Sequence, residues 1–347
     1  VAERSEESMG GISRYIAQRL MLTIPMLFIL VTIVFVILRV MPGDPVLAML
    51  GGRNVSPTVL EAHRQKLGLD KPLIHQYGEY LGQIIRGDFG TSMSTSQPVL
   101  RELFSRLPAT VELAIFGLLA AVLLGFVTGV IAATRPGQVI DHAIRVFHIG
   151  SFAVPLFWLG LMLQVFVAVK LGWLPVAKPL SGNISYAFQS KTGFFLLDGM
   201  LQGRWDWVAD AARHLILPAI TLGFAQAGFL GRMTRASMLE VLDADYVTTA
   251  RAKGLWEWGV VLRHALRNAL IPIVTVFGLQ FAILMGGAVL TETVFSWPGV
   301  ASYLMSSITA RDYPAIQGTV IFIAIFISVI NLIIDVLYTV IDPRVRY

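Results

Sequence analysis

The residue types that do chemistry are thinly spread along this chain, and their spacing excludes most enzyme classes. No Gly-x-x-x-x-Gly-Lys-[Ser/Thr] occurs, nor even a Gly-Lys pair, so no P-loop is present to cradle ATP phosphates. The six histidines are scattered, with no His-Glu-x-x-His. His63 and His75 share one polar region at a spacing that suits a metal poorly, and His142 and His264 fall in polar turns. No Gly-x-Ser-x-Gly supports a nucleophile elbow. Cysteine is absent, which removes thiolate catalysis, disulfides and Cys-based metal sites. The expectation is a non-catalytic chain with no cofactor or metal of its own.

The remaining chemistry is polar groups inside apolar runs: Gln164, Gln226, Gln280, Asn331 and Asp335. An amide both donates and accepts without carrying charge, so Gln226 and Gln280 are candidates to line an uncharged pathway; packing between helices accounts for them equally well. Asp335 lies near the end of the last run, where a hydrogen-bonded structural role is expected. No set of buried acids suggests a proton or sodium relay.

The elements that hold these residues are membrane helices. Of 347 residues, 55% are hydrophobic and 14% charged, against about 25% charged in a soluble domain. The formal charge of +5 would hint at nucleic acid in a soluble protein; here it is expected to set orientation, and no nucleic-acid partner is expected. Six apolar runs are long enough to span a bilayer, which takes about 20 residues: residues 20–40, 110–134, 147–171, 215–233, 270–290 and 315–341. The fold class is therefore all-α with six transmembrane helices. The first run ends in Pro42-Gly43-Asp44-Pro45, a turn and not a small-residue cleavage site, so it is expected to be a span and not a cleaved leader. Arg39, near its far end, is expected to snorkel to the interface.

The chain divides into a cytoplasmic N-terminus (1–19), a first helix (20–41), an external region (42–107) and a core (108–347) that carries helices 2–6 and a cytoplasmic loop at 236–269. The external region holds two amphipathic pieces, 57–67 and 73–85, and a loop, Gly87–Ser92. Gly125 and Gly129 form GxxxG, which allows close helix approach. Val154-Pro155 kinks the third run. Trp173, Trp205 and Trp207 suit an interfacial belt, and 292–314 reads as a short external loop. Arg135, Arg145, Arg232, Arg235, Arg251, Lys253, Arg263, Arg267, Arg344 and Arg346 fall on one side; the short loop opposite has only Arg311. This places both ends inside.

Between the fourth and fifth runs lies a polar interruption, Asp245–Pro272. Asp243 or Asp245 can cap a short helix, Tyr246–Lys253; Arg251 and Lys253 suit its last turn and Gly254 a left-handed close. A second helix, from Trp256 to about Arg267, follows. Thr248, Thr249, Ala250 and Ala252 are small enough for close approach to another surface. Such an elbow, tied at both ends to membrane helices, can pass force to a soluble partner.

This stretch resembles the cytoplasmic coupling loop of binding-protein-dependent ABC importer permeases. The positions matching that family's Glu-Ala-Ala, three residues, Gly and Leu-Pro read Thr248, Thr249, Ala250, then Gly254, then Ile271-Pro272. The missing Glu and the longer spacing resemble the dipeptide/oligopeptide/nickel branch, where ARAKG followed by RHALRNAL is characteristic. ETVFSWPG (Glu292–Gly299), ARDYP (Ala310–Pro314), TVELA (Thr110–Ala114) and LGLDKPL with QYGEYL extend the resemblance over most of the chain. It implies a permease subunit in a bacterial inner membrane, paired with a second similar permease, two cytoplasmic ATPase subunits that hold ATP and Mg, and an external solute-binding protein. Tyr246, Thr248, Thr249, Ala250, Arg251, Lys253 and Gly254 would form the ATPase-coupling helix. Peptides are the cargo first implied, with nickel chelates and glutathione as alternatives; an ion-coupled secondary transporter is the rival class.

Overall fold

The computed structural model describes the backbone of residues 2–40, 46–47, 56–66 and 68–341; the side chains of 2–20, 63, 66, 271–272, 274–279, 282 and 335–341 are outside that description. The Pro42–Pro45 turn, the Asp335 side chain, Arg344 and Arg346 therefore lie outside the described residues. Among the described residues the fold is helical, with one isolated antiparallel bridge, Thr91 to Pro98. The helices are α1 (Ala2–Val40), α2 (Pro57–Lys66), α3 (Leu73–Ile85), α4 (Val99–Thr134), α5 (Val139–Ala153), α6 (Leu156–Lys170), α7 (Gly182–Ala187), α8 (Phe195–Leu201), α9 (Trp205–Leu242), α10 (Asp245–Ala252), α11 (Leu266–Val294), α12 (Val300–Ala310) and α13 (Tyr313–Ile341). Among the described residues, four helices are long and apolar enough to cross a membrane, Met21–Val40, Val99–Thr134, Trp205–Leu242 and Tyr313–Ile334, or up to five if the bent pair α5–α6 is one span. The remaining expected span falls in α11, whose described apolar stretch is Ile283–Val294.

The chain forms two compact units. One comprises the described residues up to Leu107 with Gly299–Val336. Its core gathers Val31, Phe35, Tyr80 and Ile321 in one cluster, Val34, Leu38, Tyr313 and Ile316 in a second, and Val99, Leu103, Val300, Tyr303 and Phe322 in a third. Two of the sequence motifs meet here. Asp312 is buried at the start of α13, where its carboxylate accepts hydrogen bonds from the Ser92 hydroxyl (2.6 Å), the Ser94 amide (2.9 Å) and the Ala315 amide (3.2 Å). The stretch 292–314, expected as a loop, instead contains helix α12. Val300, Ala301 and Tyr303 are buried on one side of it, and that apolar face drives the helix.

Arg39 departs from expectation as well. It does not reach outward to an interface. Its guanidinium turns inward, 4.8 Å from the Phe35 ring centre and 5.2 Å from that of Tyr313, and its Nε donates to Gln76 Oε1 at 2.8 Å. Aromatic faces and an amide thus hold the charge inside the unit.

The second unit comprises Pro108–Pro298 with the described residues 337–341. Its centre is α9, which packs on α4, α5, α8 and α11. The expected close approach at Gly125 and Gly129 is present. A methyl group on Gly125 would lie 2.5 Å from the Ala227 carbonyl oxygen, and one on Gly129 would lie 2.7 Å from that of Gly231. Only hydrogen fits at either point. On the next face of α9, the His148 ring fills the space beside Gly231, and His148 Nε2 lies 2.9 Å from the Thr128 hydroxyl.

The third apolar run is not a kinked rod. The residue before a proline is pushed out of the helical region, and Val154 (ψ 124°) and Pro155 (ψ 131°) are both extended. Two successive extended residues bend α5 from α6 by 105°. The aromatic belt also needs correction. Trp173 and Trp205 are exposed, but Trp207 is buried against the Phe188 ring.

Arg235 is not a loose surface charge. It forks onto the fully buried Asp141 at 2.7 and 2.8 Å, and the Gly137 amide adds a third hydrogen bond to that carboxylate. The pair ties the first turn of α5 to α9. Asp198, outside the apolar helices, is also fully buried. Burial pushes its carboxyl up, but hydrogen bonds from the Thr192 hydroxyl and the amides of Lys191, Thr192 and Gly193 prevail and hold it below the ordinary carboxylate range.

Two outcomes follow for thermal unfolding of the detergent-solubilised protein. Gly129→Ala is expected to destabilise by about 1–3 kcal/mol, the usual cost of overpacking, whereas Gly150→Ala, at a helical glycine with open space around it, is not. Because the folded-state pKa of Asp198 is depressed, its contribution is complete above the unfolded carboxyl value of about 3.9 and is lost as pH falls through the lower folded value. Asp198→Asn should therefore lower stability at neutral pH and flatten the loss below about pH 4 relative to the parent.

Candidate functional site

The elbow begins where α9 ends. Asp243 closes α9 in helical geometry, and Ala244, extended at ψ 147°, precedes α10. Neither Asp243 nor Asp245 caps the new helix with its side chain; Asp245 is instead the first helical residue, where its charge faces the positive end of the helix dipole. At the other end the Lys253 amide donates to the Thr249 carbonyl at 3.1 Å and the Gly254 amide to the Arg251 carbonyl at 2.9 Å. Gly254 takes φ +76°, the left-handed close expected of it, which a side chain would strain.

The face assignments differ from the sequence reading in one respect. Val247 and Ala250, three residues apart on α10, are buried in one core with Leu230, Met238, Leu242, Val260, Val261 and Ala265. Ala250 is thus small because it approaches this chain's own interior. Thr248, Thr249, Ala252 and Lys253 face outward. Tyr246 is 42% exposed, and its hydroxyl accepts from Asn268 Nδ2 at 2.7 Å. Arg251 forms an ion pair with Glu257 at 2.9 Å and reaches the Leu242 carbonyl at 3.4 Å. Tyr246 and Arg251 therefore strap α10 to its two flanking segments, leaving Lys253 as the projecting cation of the pair named for the last turn.

The second helix of the elbow does not stop near Arg267. Glu257–Gly259, a π-helical stretch Val260–Ala265 and α11 follow without a break. The elbow is thereby continuous with a long apolar helix on that side, and only Ala244 and the turn at 253–256 interrupt it on the other. Leu255, Trp256, Trp258 and Leu262 are exposed here, Trp256 to 73%. Sequence reasoning did not single out this apolar patch. Its signal is the run Leu255-Trp256-Glu257-Trp258, aromatic residues set among charges.

The polar residues of the apolar helices sort by partner. Gln164 donates to the carbonyls of Val176 (2.9 Å) and Val294 (3.0 Å), a structural bracket. Gln226 is half-buried on α9, and Gln280 is buried on α11 with its Oε1 unpartnered among the described residues. The two helices pack on each other, but no hydrogen bond joins the two amides. Among the described residues, no group of three or more His, Cys, Asp or Glu side chains is placed to hold a metal ion.

Comparison with known proteins agrees with this architecture. The family described as "binding-protein-dependent transport system inner membrane component" matches residues 125–347, and the corresponding N-terminal family matches 12–114. The di/tripeptide transport system permease protein DppB of Pseudomonas aeruginosa is 45% identical over 96% of this chain and 98% of that protein. The dipeptide permease DppB of Escherichia coli K12 is 42% identical over 96% and 99%, and the glutathione permease GsiC of E. coli O1:K1 is 40% identical over the same shares. Among solved structures, an inward-facing methionine ABC transporter, MetNI, shares the fold at a TM-score of 0.51 and 16% identity, covering 72% of this chain and all of that one. An all-helical chain with apolar spanning helices and a projecting polar elbow, alike over almost its whole length to these permeases, belongs to the family of binding-protein-dependent transport system inner membrane components.

Proposed function

We propose that this chain is one of two transmembrane subunits of an ATP-driven importer whose cargo is a short peptide. The observation that carries the cargo is the 45% identity to a di/tripeptide permease over nearly the full length of both chains; a glutathione permease at 40% keeps a modified tripeptide within the same reading. The chain is a non-catalytic subunit. ATP and Mg are held by two cytoplasmic ATPase subunits, a second similar permease completes the membrane pair, and an external binding protein delivers the peptide. Six spans, with α11 supplying the fifth, and both termini on the cytoplasmic side put the elbow beside the ATPases.

The elbow's packing supports a mechanical role. Val247 and Ala250 share a core with residues of α9 and of the segment leading into α11. A close-packed core is nearly incompressible, so a push on α10 moves both long helices together. The outward Thr248, Thr249 and Lys253 and the exposed Leu255 and Trp256 offer a small polar-rimmed apolar surface to an ATPase groove. Closure of the ATPase pair then shifts α10 and rocks the spans between inward-open and outward-open states.

The cargo is tested by uptake of labelled dialanine into proteoliposomes that contain the reconstituted assembly and its binding protein. Uptake is expected to require ATP and to survive an uncoupler; the opposite pattern returns the ion-coupled reading, and uptake of a nickel chelate in place of dialanine moves the cargo. The elbow is tested by side-chain position. Trp256→Ala, an exposed aromatic of the kind that dominates interfaces, is expected to leave the melting temperature unchanged while lowering peptide-stimulated ATPase activity about tenfold. Ala250→Trp, which overfills the core, and Gly254→Pro, which cannot take positive φ, are expected to lose coupling together with thermal stability.

A further inference from the structure

The segment that joins the elbow to α11 carries a second exposed face. Between Glu257 and Arg267 the buried residues are Val260, Val261 and Ala265, which belong to the core that seats α10. Trp258, Leu262, Arg263 and Arg267 are exposed, Trp258 to 37% and Leu262 to 54%. They recur at intervals of four and five residues, and the wide turn of the π-helical stretch Val260–Ala265 keeps such positions on one side. Trp256, extended at ψ 136°, lies before this helix and outside the face.

The positive charge on this face is not answered within the chain. The neighbouring acid, Glu257, is engaged by Arg251 at 2.9 Å, and neither Arg263 nor Arg267 forms an ion pair among the described residues. Two open guanidinium groups thus stand beside an aromatic and an aliphatic side chain. The helix then continues from Arg267 into the apolar run 270–290 without a break. At a rise of about 1.5 Å per residue, Arg267 and Arg263 stand about 5 and about 10 Å before that run begins. The headgroup layer next to the hydrocarbon is about 5–8 Å deep, so a long arginine side chain on either turn reaches phosphate, and Trp258 and Leu262 present apolar surface at the same border. A protein groove would have to come within three residues of the hydrocarbon to cover Arg267.

We infer that Trp258, Leu262, Arg263 and Arg267 form a docking surface for the headgroup of an acidic phospholipid, which anchors the elbow end of α11 at the membrane surface. Arginine forks match phosphate oxygens with charge-assisted hydrogen bonds, and an amphipathic stretch with basic and aromatic residues gains from both the charge and the apolar border of an acidic bilayer. The inference rests on α11 being a span, as proposed above, and on nothing about the cargo. It separates two jobs on neighbouring residues: α10 and Trp256 face the ATPase, and the face that starts at Trp258 faces lipid.

The test uses the full chain, purified with its partner subunits and reconstituted in phosphatidylcholine that contains either brominated phosphatidylglycerol or brominated phosphatidylcholine. Bromine quenches tryptophan emission at short range, and the emission of Trp258 is read as the difference between the parent and Trp258→Phe. Stronger quenching by the brominated phosphatidylglycerol is expected at equal content. That preference is expected to fall about fivefold in Arg263→Gln and again in Arg267→Gln, to persist in Arg263→Lys, and to shrink at high salt. Equal quenching by the two lipids would overturn the assignment, as would a preference that neither glutamine substitution moves. Emission from Trp258 that no brominated lipid touches, but that shifts when the ATPase subunits are removed, gives the face to a protein interface and overturns it too. Should the glutamine variants fail to fold, the parent decides alone, because a preference unchanged between low and high salt rules out a headgroup charge. Dialanine uptake is read separately in the same membranes, so its failure counts against the cargo and leaves this result standing.

Discussion

The contact on which the second unit depends is backbone against backbone, where α4 crosses α9. Lipid tails are as apolar as leucine, so membrane helices gain little by hiding apolar surface from one another and associate through close packing instead. Gly125 and Gly129 leave no room for even a methyl group between α4 and the carbonyls of Ala227 and Gly231. That approach sets where the far end of α9 emerges. There the Arg235–Asp141 pair holds α9 to the first turn of α5, and a few residues on the chain leaves the helix for the elbow. Glycine contact, ion pair and elbow thus form one line of rigid elements.

The elbow itself is a compromise between attachment and exposure. A helix of eight residues is too short to be stable alone. Its stability comes from Val247 and Ala250 in the core, from the Tyr246–Asn268 hydrogen bond and from the Arg251–Glu257 pair, the last of these exposed and therefore weak. What is left facing outward is small and polar, flanked by Leu255 and Trp256. A rigidly seated helix with a spare outer face suits the transmission of movement better than a mobile loop, because displacement is not absorbed by internal rearrangement.

Local features were legible in the sequence where the cause is local. The bounds of α2, α3 and α10, the left-handed Gly254 and the GxxxG approach all follow from periodicity, turn chemistry and residue size within a few positions. Features set by distant residues were not legible. Nothing near Arg39 in sequence says that Gln76 and Tyr313 will draw it inward, nor does anything near Asp312 announce Ser92 and Ser94. The break at Val154-Pro155 was visible as a proline, but its size depends on two consecutive extended residues, which a single proline does not dictate. The elbow was readable as a short helix closed by Gly254; which of its small residues face the core was not, although the three-residue spacing of Val247 and Ala250 carried that information.

The buried acids bear on how energy can enter. Asp141 is committed to Arg235 and a backbone amide, Asp198 to hydroxyls and amides of the loop before α8, and Asp312 to Ser92, Ser94 and Ala315. Glu112 accepts from the amides of Phe195 and Leu196, and Glu292 from the Thr110 hydroxyl at 2.6 Å. A carboxylate that relays protons or sodium must release its partners in each cycle, and every one of these is a fastener whose release would free a helix end or a crossing. These five buried carboxylates thus serve to hold the scaffold. On the proposed reading, the work that moves the scaffold arrives at the outward face of α10.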